Sequence, residues 1–306
     1  MIAHYTISTF EKKPFQKISQ NQLLTTLKQN GVVLLRGYDF DANSFQSLSE
    51  QLCDKFHHIA SRYTLQNKQQ GDGYSVEVFR ENFELLGHAE ATYTPFFSGH
   101  SCPPEVCFFM CITPPTEQGG ETTLVDGCEF LKRLDSTVQQ KLEKSGIIYH
   151  MVWEKTRWQH EFQLEDTQSL SNLLDKLNSV KYKLRADDSL ALHYSTPAIT
   201  QTLDGKLAFA TGLLAHLPAI NHPHYQHKMV FVKPSNQISF GDGEEISAEV
   251  INHLIDIHDE LLYKHCWQAH DVLIVDNTRF LHGRTMTEKP CKRVLLSRFG
   301  WLRAIT

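Results

Sequence analysis

The first sixty residues alternate between helical and strand-like hydrophobic patterns. Between residues 16 and 29, Leu23, Leu24 and Leu27 recur at the spacing of an amphipathic helix, and the apolar run 32–35 that follows indicates a buried strand. Apolar residues spaced by three and four then predict a second helix over residues 43–56. The N-terminal part is therefore predicted to be mixed α/β.

Short β-like runs dominate the chain from residue 74 onward. They cover residues 74–79, 105–113, 122–126, 147–153, 190–194, 207–211, 229–232, 272–276 and 294–299, and helical patterns interrupt them at 127–145, 166–179 and 246–264. Many short strands separated by irregular helices are typical of a sandwich or barrel of antiparallel strands. The sequence contains no internal repeat and no linker-like change in composition. Residues 1–306 are therefore predicted to form a single domain that is mainly β, with an α/β N-terminal part.

Composition and charge narrow the class of partner. The chain has 41% hydrophobic residues, a formal net charge of −5 and no long basic run, which argues against binding to nucleic acid or to an anionic membrane. No apolar stretch approaches the ~18 residues of a membrane-spanning helix, and the first residues do not resemble a secretory signal. We therefore expect a cytoplasmic protein whose partner is a small molecule.

A histidine and a glutamate stand two residues apart in the segment GHAEATYTP. In a strand or an extended loop, His88 and Glu90 project to the same side, where both can bind one metal ion. The same pattern occurs at His258 and Glu260, but the apolar periodicity of residues 246–264 predicts a helix there. On a helix the two side chains are separated by roughly 200°. The sequence therefore favours His88 and Glu90.

A third metal ligand should come from a distant strand. Two histidines and one carboxylate, with three open positions, are the signature of non-haem Fe(II) oxygenases. His282 follows the apolar run 272–275, which gives it a rigid base, and it is the candidate for the second histidine.

An arginine near the C-terminus is the candidate for binding an anion. Arg298 shares one strand face with Val294 and Leu296, and a buried arginine on an apolar strand should meet an anion such as a carboxylate co-substrate. Arg284 and Arg293 are the alternatives for this role, and Arg293 points to the opposite face of the strand from Arg298.

Several segments together resemble the taurine/2,4-D dioxygenase family of Fe(II)- and 2-oxoglutarate-dependent oxygenases. In chain order they are NGVVLLRGYDF, HAE, TPPTEQGGETTLVDG, DNTRFLHGR and KRVLLSR, so the resemblance spans roughly residues 20–303. The usual first motif of the family is H-x-D. The glutamate found here, together with CFFMCITPP and FGDG, is similar to the clavaminate synthase and amino-acid hydroxylase branch.

The resemblance implies a double-stranded β-helix, or jelly roll, with peripheral helices and with iron at its mouth. It implies that His88, Glu90 and His282 bind Fe(II), that Arg298 binds the distal carboxylate of 2-oxoglutarate, and that O₂ is the oxidant. It also implies a hydroxyl contact from Thr122. The neighbouring Thr123 is the alternative, because a shift of one residue exchanges the two faces of a strand.

The implied reaction is hydroxylation, or a related desaturation or ring closure, with release of succinate and CO₂. The implied substrate is an amino-acid-like small molecule, free or attached to a carrier protein. Related halogenases replace the carboxylate by a small residue, so Glu90 predicts a hydroxylase and no halogenation. The alternative is a non-catalytic β-helix protein that binds metal and 2-oxoglutarate. The histidine-rich residues 216–227 are interpreted as an exposed loop, in preference to a second metal site, and the alternative for this loop is that it covers the active site.

Overall fold

The hydrophobic pattern of the chain builds a strand-rich structure surrounded by helices. The computed structural model describes residues 8–10, 19–57, 69–70, 72–78, 82–95, 102–116, 118–233, 236–288 and 292–303. The α-helices in this part of the chain are α1 (Gln20–Asn30), α2 (Ala42–Leu52), α3 (Gly127–Arg133), α4 (Ser136–Ser145), α5 (Lys155–Phe162), α6 (Thr167–Leu174) and α7 (Ala248–Leu261). Two short 3₁₀ helices cover Leu214–His216 and Pro223–Tyr225.

The strands are β1 (Ser8–Phe10), β2 (Val32–Leu35), β3 (Cys53–Phe56), β4 (Gln69–Gln70), β5 (Ser75–Glu77), β6 (Leu85–His88), β7 (Val106–Thr113), β8 (Thr122–Asp126), β9 (Ile147–Trp153), β10 (Val180–Leu184), β11 (Leu190–Thr196), β12 (Ile199–Gln201), β13 (Leu207–Phe209), β14 (Gln237–Phe240), β15 (Tyr263–His265), β16 (Val272–Asp276), β17 (Phe280–Arg284) and β18 (Val294–Leu302). Between these strands the pairings are antiparallel, except for β1 with β2.

Local signals at both ends of α1 explain where this helix begins and ends. The side chain of Ser19 accepts a hydrogen bond from the amide of Gln22 at the start of α1, and Gly31 ends the helix with a φ of 75°. A side chain at Gly31 would also collide with the ring of Phe280. The chain can therefore turn directly from α1 into the buried strand β2.

The largest sheet has the order β1-β2-β16-β7-β18-β5-β4, and β3 also pairs with β18. Because side chains alternate along a strand, its two faces belong to different hydrophobic clusters. Phe108, Met110 and Leu296 face α1 and α2. Phe109 and Leu295, from the same strands, face a second sheet of order β15-β8-β17-β6. The space between these two sheets contains the candidate site.

A third sheet, of order β10-β11-β9-β14, lies on the outer side of the second sheet. Its inward residues share one cluster with α3, α5, α6 and α7 and with the outward residues of β6, β8 and β17. Leu86, Val125 and Leu281 are the members from those three strands, and each is buried. The second sheet is therefore packed on both faces, which gives the strands at the site a rigid support.

The structure confirms a mixed, strand-rich fold with several antiparallel sheets and corrects some element boundaries. The helix predicted over 43–56 ends at Leu52 and continues as β3, and the helix predicted over 127–145 is two helices, α3 and α4. The predicted strand 229–232 is represented by one isolated bridge, between Glu84 and Val230. Residues 16–18 and 79, at the ends of two predicted elements, lie outside the described residues. No helix in the described part of the chain is long and apolar enough to cross a membrane.

Candidate active site

Strand register brings the two candidate histidine ligands together. β6 and β17 are antiparallel neighbours, and His88 is the direct partner of His282 across them. Their ring centroids are 4.4 Å apart, and both side chains are at least nine-tenths buried. Opposed residues on adjacent strands are the closest neighbours that a sheet provides. The pairing therefore brings together two side chains that are 194 residues apart in sequence.

Glu90 lies in the turn immediately after β6, and a buried asparagine holds its backbone. The amide of Glu90 donates to Oδ1 of Asn277 at 2.7 Å, and Nδ2 of Asn277 donates to the Glu90 carbonyl at 3.1 Å. Nδ2 also donates to the carbonyl of Pro104 at 2.8 Å. The next residue, Ala91, has a φ of 62°, a backbone conformation that costs free energy for any residue other than glycine. Asn277 fixes this turn against β16 and β7.

The two carboxylate oxygens of Glu90 have different partners. Oε1 accepts hydrogen bonds from the Tyr93 hydroxyl at 2.8 Å and from the Ala91 amide at 3.2 Å. Oε2 lies 3.8 Å from Nε2 of His88 and 3.6 Å from Nε2 of His282. The hydrogen bonds to Oε1 therefore orient the carboxylate so that Oε2 meets the two imidazoles.

The ionisation states at this cluster suit a cation. Burial, with the charge of His282 as the next cause, lowers the pKa of His88 to about 4. The pKa of Glu90 is lowered to about 2, because its contacts with His282, His88 and Tyr93 outweigh the opposing effect of burial. At neutral pH the site therefore combines a carboxylate with a neutral His88, which are the protonation states that metal ligands require.

The donor set fits a divalent metal. Nδ1 of His88 lies 3.2 Å from the carbonyl of Leu86, which assigns the proton to Nδ1 and leaves the lone pair of Nε2 facing Oε2 of Glu90. One ligand atom from each of His88, Glu90 and His282 lies within 4.8 Å of the other two, and this is the one such group among the described residues. Nε2 of His88 and Oε2 of Glu90 are two electron-pair donors that face each other, and they repel unless a positive charge lies between them. Two nitrogens and one oxygen are the donors that Fe(II) takes in the facial triad.

A pocket of about 220 Å³ opens at the three candidate ligands. Thr122, at the start of β8, lines it, and its hydroxyl accepts a hydrogen bond from the Trp267 indole at 3.0 Å. Thr122 and Leu124 pair with Arg284 and His282 on β17, so the even-numbered residues of β8 lie on the same face as the metal ligands. The structure therefore places Thr122 in the pocket, and the alternative residue Thr123 is not part of its lining.

Arg298 lies on the face of β18 that points away from this pocket. Its guanidinium donates to Asp72 at 2.7 and 2.9 Å and to the Ser75 hydroxyl at 2.8 Å, and it packs over the ring of Phe56. The sequence correctly indicated that Arg298 and Leu296 share one face. That face contacts α1 and α2, however, so the expectation that Arg298 meets the co-substrate has no support in its position.

The two arginines that the sequence left as alternatives both line the pocket. Arg293 precedes β18, is 4% exposed, and donates to the carbonyl of Gly120 at 2.6 Å. Arg284 follows His282 by two residues on β17, donates to the carbonyl of Phe83 at 3.1 Å and lies over the Phe83 ring. The pocket therefore offers buried guanidinium groups from β17 and from the start of β18.

Part of residues 216–227 lines the site, contrary to the expectation of an exposed loop. His216 is buried in the pocket lining, donates from Nδ1 to the Gly212 carbonyl at 2.8 Å, and stacks on Tyr93 with ring centroids 3.9 Å apart. His222 lies 3.1 Å from Asp256 and His224 lies 3.2 Å from Asp259, so the segment is attached to α7. The sequence gave no signal for the contacts of His222 and His224 with α7 or of His216 with Tyr93, because each of these joins residues that are more than thirty positions apart.

The rejected motif on α7 has a structural role. His258 and Glu260 are on a helix, as predicted, and Glu260 is exposed beside Arg133. Nε2 of His258 accepts a hydrogen bond from the amide of Gly87 at 3.0 Å. This contact was missed by sequence reasoning, which treated the motif only as a competing metal site.

Two histidines and one carboxylate that converge at a pocket between two sheets are the donor set of non-haem Fe(II) oxygenases. The model of the family described as "Taurine catabolism dioxygenase TauD, TfdA family" matches residues 3–299. The chain therefore belongs to the TauD/TfdA family, whose members are iron-binding oxidoreductases that use Fe(II) and 2-oxoglutarate.

Individual relatives cover most of the chain at low identity. The dapdiamide synthesis protein DdaC of Enterobacter agglomerans is 24% identical over 291 residues, which are 91% of this chain and 85% of that protein. A clavaminate synthase-like protein of Arabidopsis thaliana is 22% identical over 315 residues, covering 92% and 85% of the two chains. The solved structure of AAD-2 in complex with Mn(II) and N-oxalylglycine has a TM-score of 0.55 at 10% identity, covering 100% of this chain and 97% of that one. The last likeness concerns the fold alone.

Proposed function

We propose that this protein is a dioxygenase that hydroxylates a small, amino-acid-like molecule, free or attached to a carrier protein, with release of succinate and CO₂. The observation that carries the proposal is the convergence of His88, Glu90 and His282 on one point of a pocket lined by arginines. When bound, Fe(II) and 2-oxoglutarate supply the oxidation of an unactivated C–H bond. The chain supplies orientation of the substrate and exclusion of water. We also propose that residues 1–306 form one domain and that the two facing sheets form a double-stranded β-helix.

Arg293 is the proposed residue for the distal carboxylate of 2-oxoglutarate. It donates to Gly120, two residues before Thr122, so its guanidinium and the Thr122 hydroxyl belong to the same end of the pocket. Arg284 instead lies against Phe83. A guanidinium matches a carboxylate in geometry and keeps its charge when buried. Thr122 adds a hydroxyl to the same carboxylate, and Arg298 has no part in this assignment.

Glu90 supports oxygen insertion over halogen transfer. Its carboxylate is held by Tyr93 and Ala91 with Oε2 towards the histidines, and it occupies the position that a halide needs. We therefore expect hydroxylated product and no chlorinated or brominated product when the enzyme turns over in chloride or bromide. Mass spectrometry of the product distinguishes these outcomes.

Succinate formation tests the proposed function directly. The protein with Fe(II), 2-oxoglutarate and O₂ is expected to release succinate slowly without substrate, and Glu90→Ala and His282→Ala are expected to abolish the release. Glu260→Ala is the matched control, because it removes the glutamate of the other H-x-E motif, which is exposed and distant from the pocket. Absence of succinate from the unmodified protein would support the alternative, a non-catalytic binding protein. Full turnover in both ligand variants would refute the ligand assignment.

A further inference from the structure

His216 is a buried polar side chain of the pocket that the proposed function does not use. It is 4% exposed and lines the same pocket as the three candidate metal ligands. The 3₁₀ helix that carries it, Leu214–His216, packs against β6, the strand that ends at His88. The imidazole of His216 is therefore part of the pocket wall beside the candidate metal centre.

Three neighbours hold the ring of His216 in one orientation. Nδ1 donates to the carbonyl of Gly212 at 2.8 Å, and one face of the ring stacks on Tyr93 with the centroids 3.9 Å apart. The ring of Tyr149 meets it at 80°, with the centroids 6.0 Å apart. A β-carbon at Gly212 would lie 2.9 Å from the Tyr93 ring and 3.2 Å from Nδ1 of His216, closer than packed atoms normally approach. The glycine therefore allows the carbonyl and both rings to meet.

The second nitrogen of this ring is a hydrogen-bond acceptor. Because Nδ1 carries the proton that the Gly212 carbonyl accepts, Nε2 of the neutral ring carries a lone pair. None of the residues that the structure describes forms a hydrogen bond with Nε2. Since His216 lines the pocket, a molecule that fills the pocket removes solvent from Nε2. A buried acceptor left without a donor costs free energy, so that molecule binds well only if it supplies the donor.

The charge around His216 favours a neutral donor. Burial, and next the positive charge of Lys233, hold the pKa of His216 well below its usual value. A positive charge is therefore disfavoured at this place on the pocket wall. The ammonium group of a substrate at Nε2 would meet the same two effects, whereas a hydroxyl or an amide N–H donates without carrying a charge.

We infer that the substrate presents a neutral hydroxyl or amide N–H to Nε2 of His216, which makes His216 a specificity-determining residue of the pocket. The inference rests on the proposed function and deepens it by naming one functional group of the substrate. A site built to bind a donor rejects the analogue that lacks it, because the acceptor is then left buried and unpaired. His216 therefore selects against molecules of the same shape that have no hydrogen to donate at this place.

Calorimetry on the loaded protein tests the inference without turnover. The protein is saturated with Mn(II), in place of iron, and with 2-oxoglutarate. The probes are matched pairs with the side chains of leucine and of phenylalanine. Each 2-hydroxy acid is compared with the acid that lacks the hydroxyl, and each N-acetyl amino acid with its ester analogue, in which oxygen replaces the N–H. The free amino acids supply the ammonium group for comparison.

Three variants separate a contact with the probe from a structural role. His216→Phe keeps an aromatic ring on Tyr93 but removes the acceptor, and His216→Gln keeps an acceptor oxygen without the ring. His227→Phe is the matched control, because His227 is an exposed histidine nearby in sequence and is not part of the pocket lining.

We expect at least one probe with a neutral donor to bind, and its partner without the donor to bind about tenfold more weakly. The pair that shows this difference tells a hydroxyl from an amide N–H. His216→Phe should abolish the difference by weakening only the donor probe, His216→Gln should retain part of it, and His227→Phe should retain all of it.

A merely structural role of His216 would weaken both members of a pair equally in His216→Phe, and that result would overturn the inference. A difference that persists in His216→Phe, or binding of no donor probe, would overturn it as well. So would a free amino acid that binds as tightly as the donor probes and depends equally on His216. Succinate release by the unmodified protein reports separately on the proposed function.

Discussion

Nε2 of His258 accepts a hydrogen bond from the amide of Gly87 at 3.0 Å, and so a helix side chain holds the backbone next to the candidate ligand His88. Because Nε2 is the acceptor, the proton of His258 is on Nδ1, which lies 2.9 Å from Oδ1 of Asp259 and donates to it. The hydroxyl of Tyr225 donates to the same oxygen at 2.6 Å. This chain of hydrogen bonds joins the 3₁₀ helix Pro223–Tyr225, α7 and β6.

Replacement of His258 is expected to weaken metal binding without direct contact with the metal. In His258→Phe the buried amide of Gly87 loses its acceptor, which costs about 1–3 kcal/mol and allows the strand that holds His88 to move. We expect the Kd for Co(II), measured by absorbance in the visible range, to rise about tenfold. His253→Phe is the control on the same helix, because His253 accepts from the Asp135 amide at 3.3 Å, far from the site. An unchanged Kd in folded His258→Phe would contradict this positioning role.

The hydroxyl of Tyr93 is expected to tune the Glu90 carboxylate. Tyr93→Phe keeps the ring that stacks on His216 and lies under Lys233, but it removes the hydrogen bond to Oε1 of Glu90. Since that bond is one of the causes that lower the pKa of Glu90, the carboxylate should become more basic and less well oriented. We expect the Kd for the metal to rise about ten- to hundredfold.

Tyr149→Phe provides the comparison for this change. The hydroxyl of Tyr149 is also buried, but its hydrogen-bond partner is the hydroxyl of Thr211 at 3.2 Å and not a candidate metal ligand. Calorimetric titration of both variants with Mn(II) should separate them. If the two variants bind the metal equally well, the hydroxyl of Tyr93 has no part in orienting Glu90.

Arg293 and Arg298 lie on opposite faces of the sheet that contains β18. We expect replacement of the first to weaken co-substrate binding and replacement of the second to lower stability. Arg293→Gln should raise the Kd for 2-oxoglutarate about ten- to hundredfold, because the carboxylate loses a charge-assisted partner. Arg298→Gln should leave this Kd unchanged and should lower the free energy of unfolding, since the fully buried guanidinium bonds to Asp72 and Ser75. Binding is followed by calorimetry and unfolding by urea titration. The opposite pattern would restore Arg298 as the co-substrate residue.

Strand alternation explains how far the sequence could predict the site. Apolar runs and the two-residue spacing identified His88 and Glu90 on one side of an extended segment, and the run 272–275 identified the region of His282. The same alternation correctly separated Arg293 from Arg298. It could not say which face of β18 meets the pocket, because both faces are apolar and buried, one against α1 and α2 and the other against the second sheet.

Other parts of the site depend on contacts that no local pattern contains. Asn277 binds the backbone of Glu90 across 187 positions, and His258 binds that of Gly87 across 171. Phe231 lies within the run 229–232 that was predicted to be a strand, and Lys233 directly follows it, but the structure has only a bridge at Val230. These residues reach the pocket through packing of whole sheets and helices, which hydrophobic periodicity does not specify.

Acidification is expected to destabilise the metal-free protein through His216. Burial, with the charge of Lys233 as the next cause, holds the pKa of His216 well below 6.5. Below pH 6.5 the unfolded chain therefore takes up a proton that the folded protein does not, so the stabilisation present above pH 6.5 is lost as the pH falls. Urea titrations at pH 7.5, 6.5 and 5.5 should show a falling free energy of unfolding, with a smaller fall in His216→Asn. His227→Asn, which removes an exposed histidine of the same segment, should behave as the unmodified protein. Identical pH dependence in His216→Asn and the unmodified protein would show that His216 is not kept neutral by the fold.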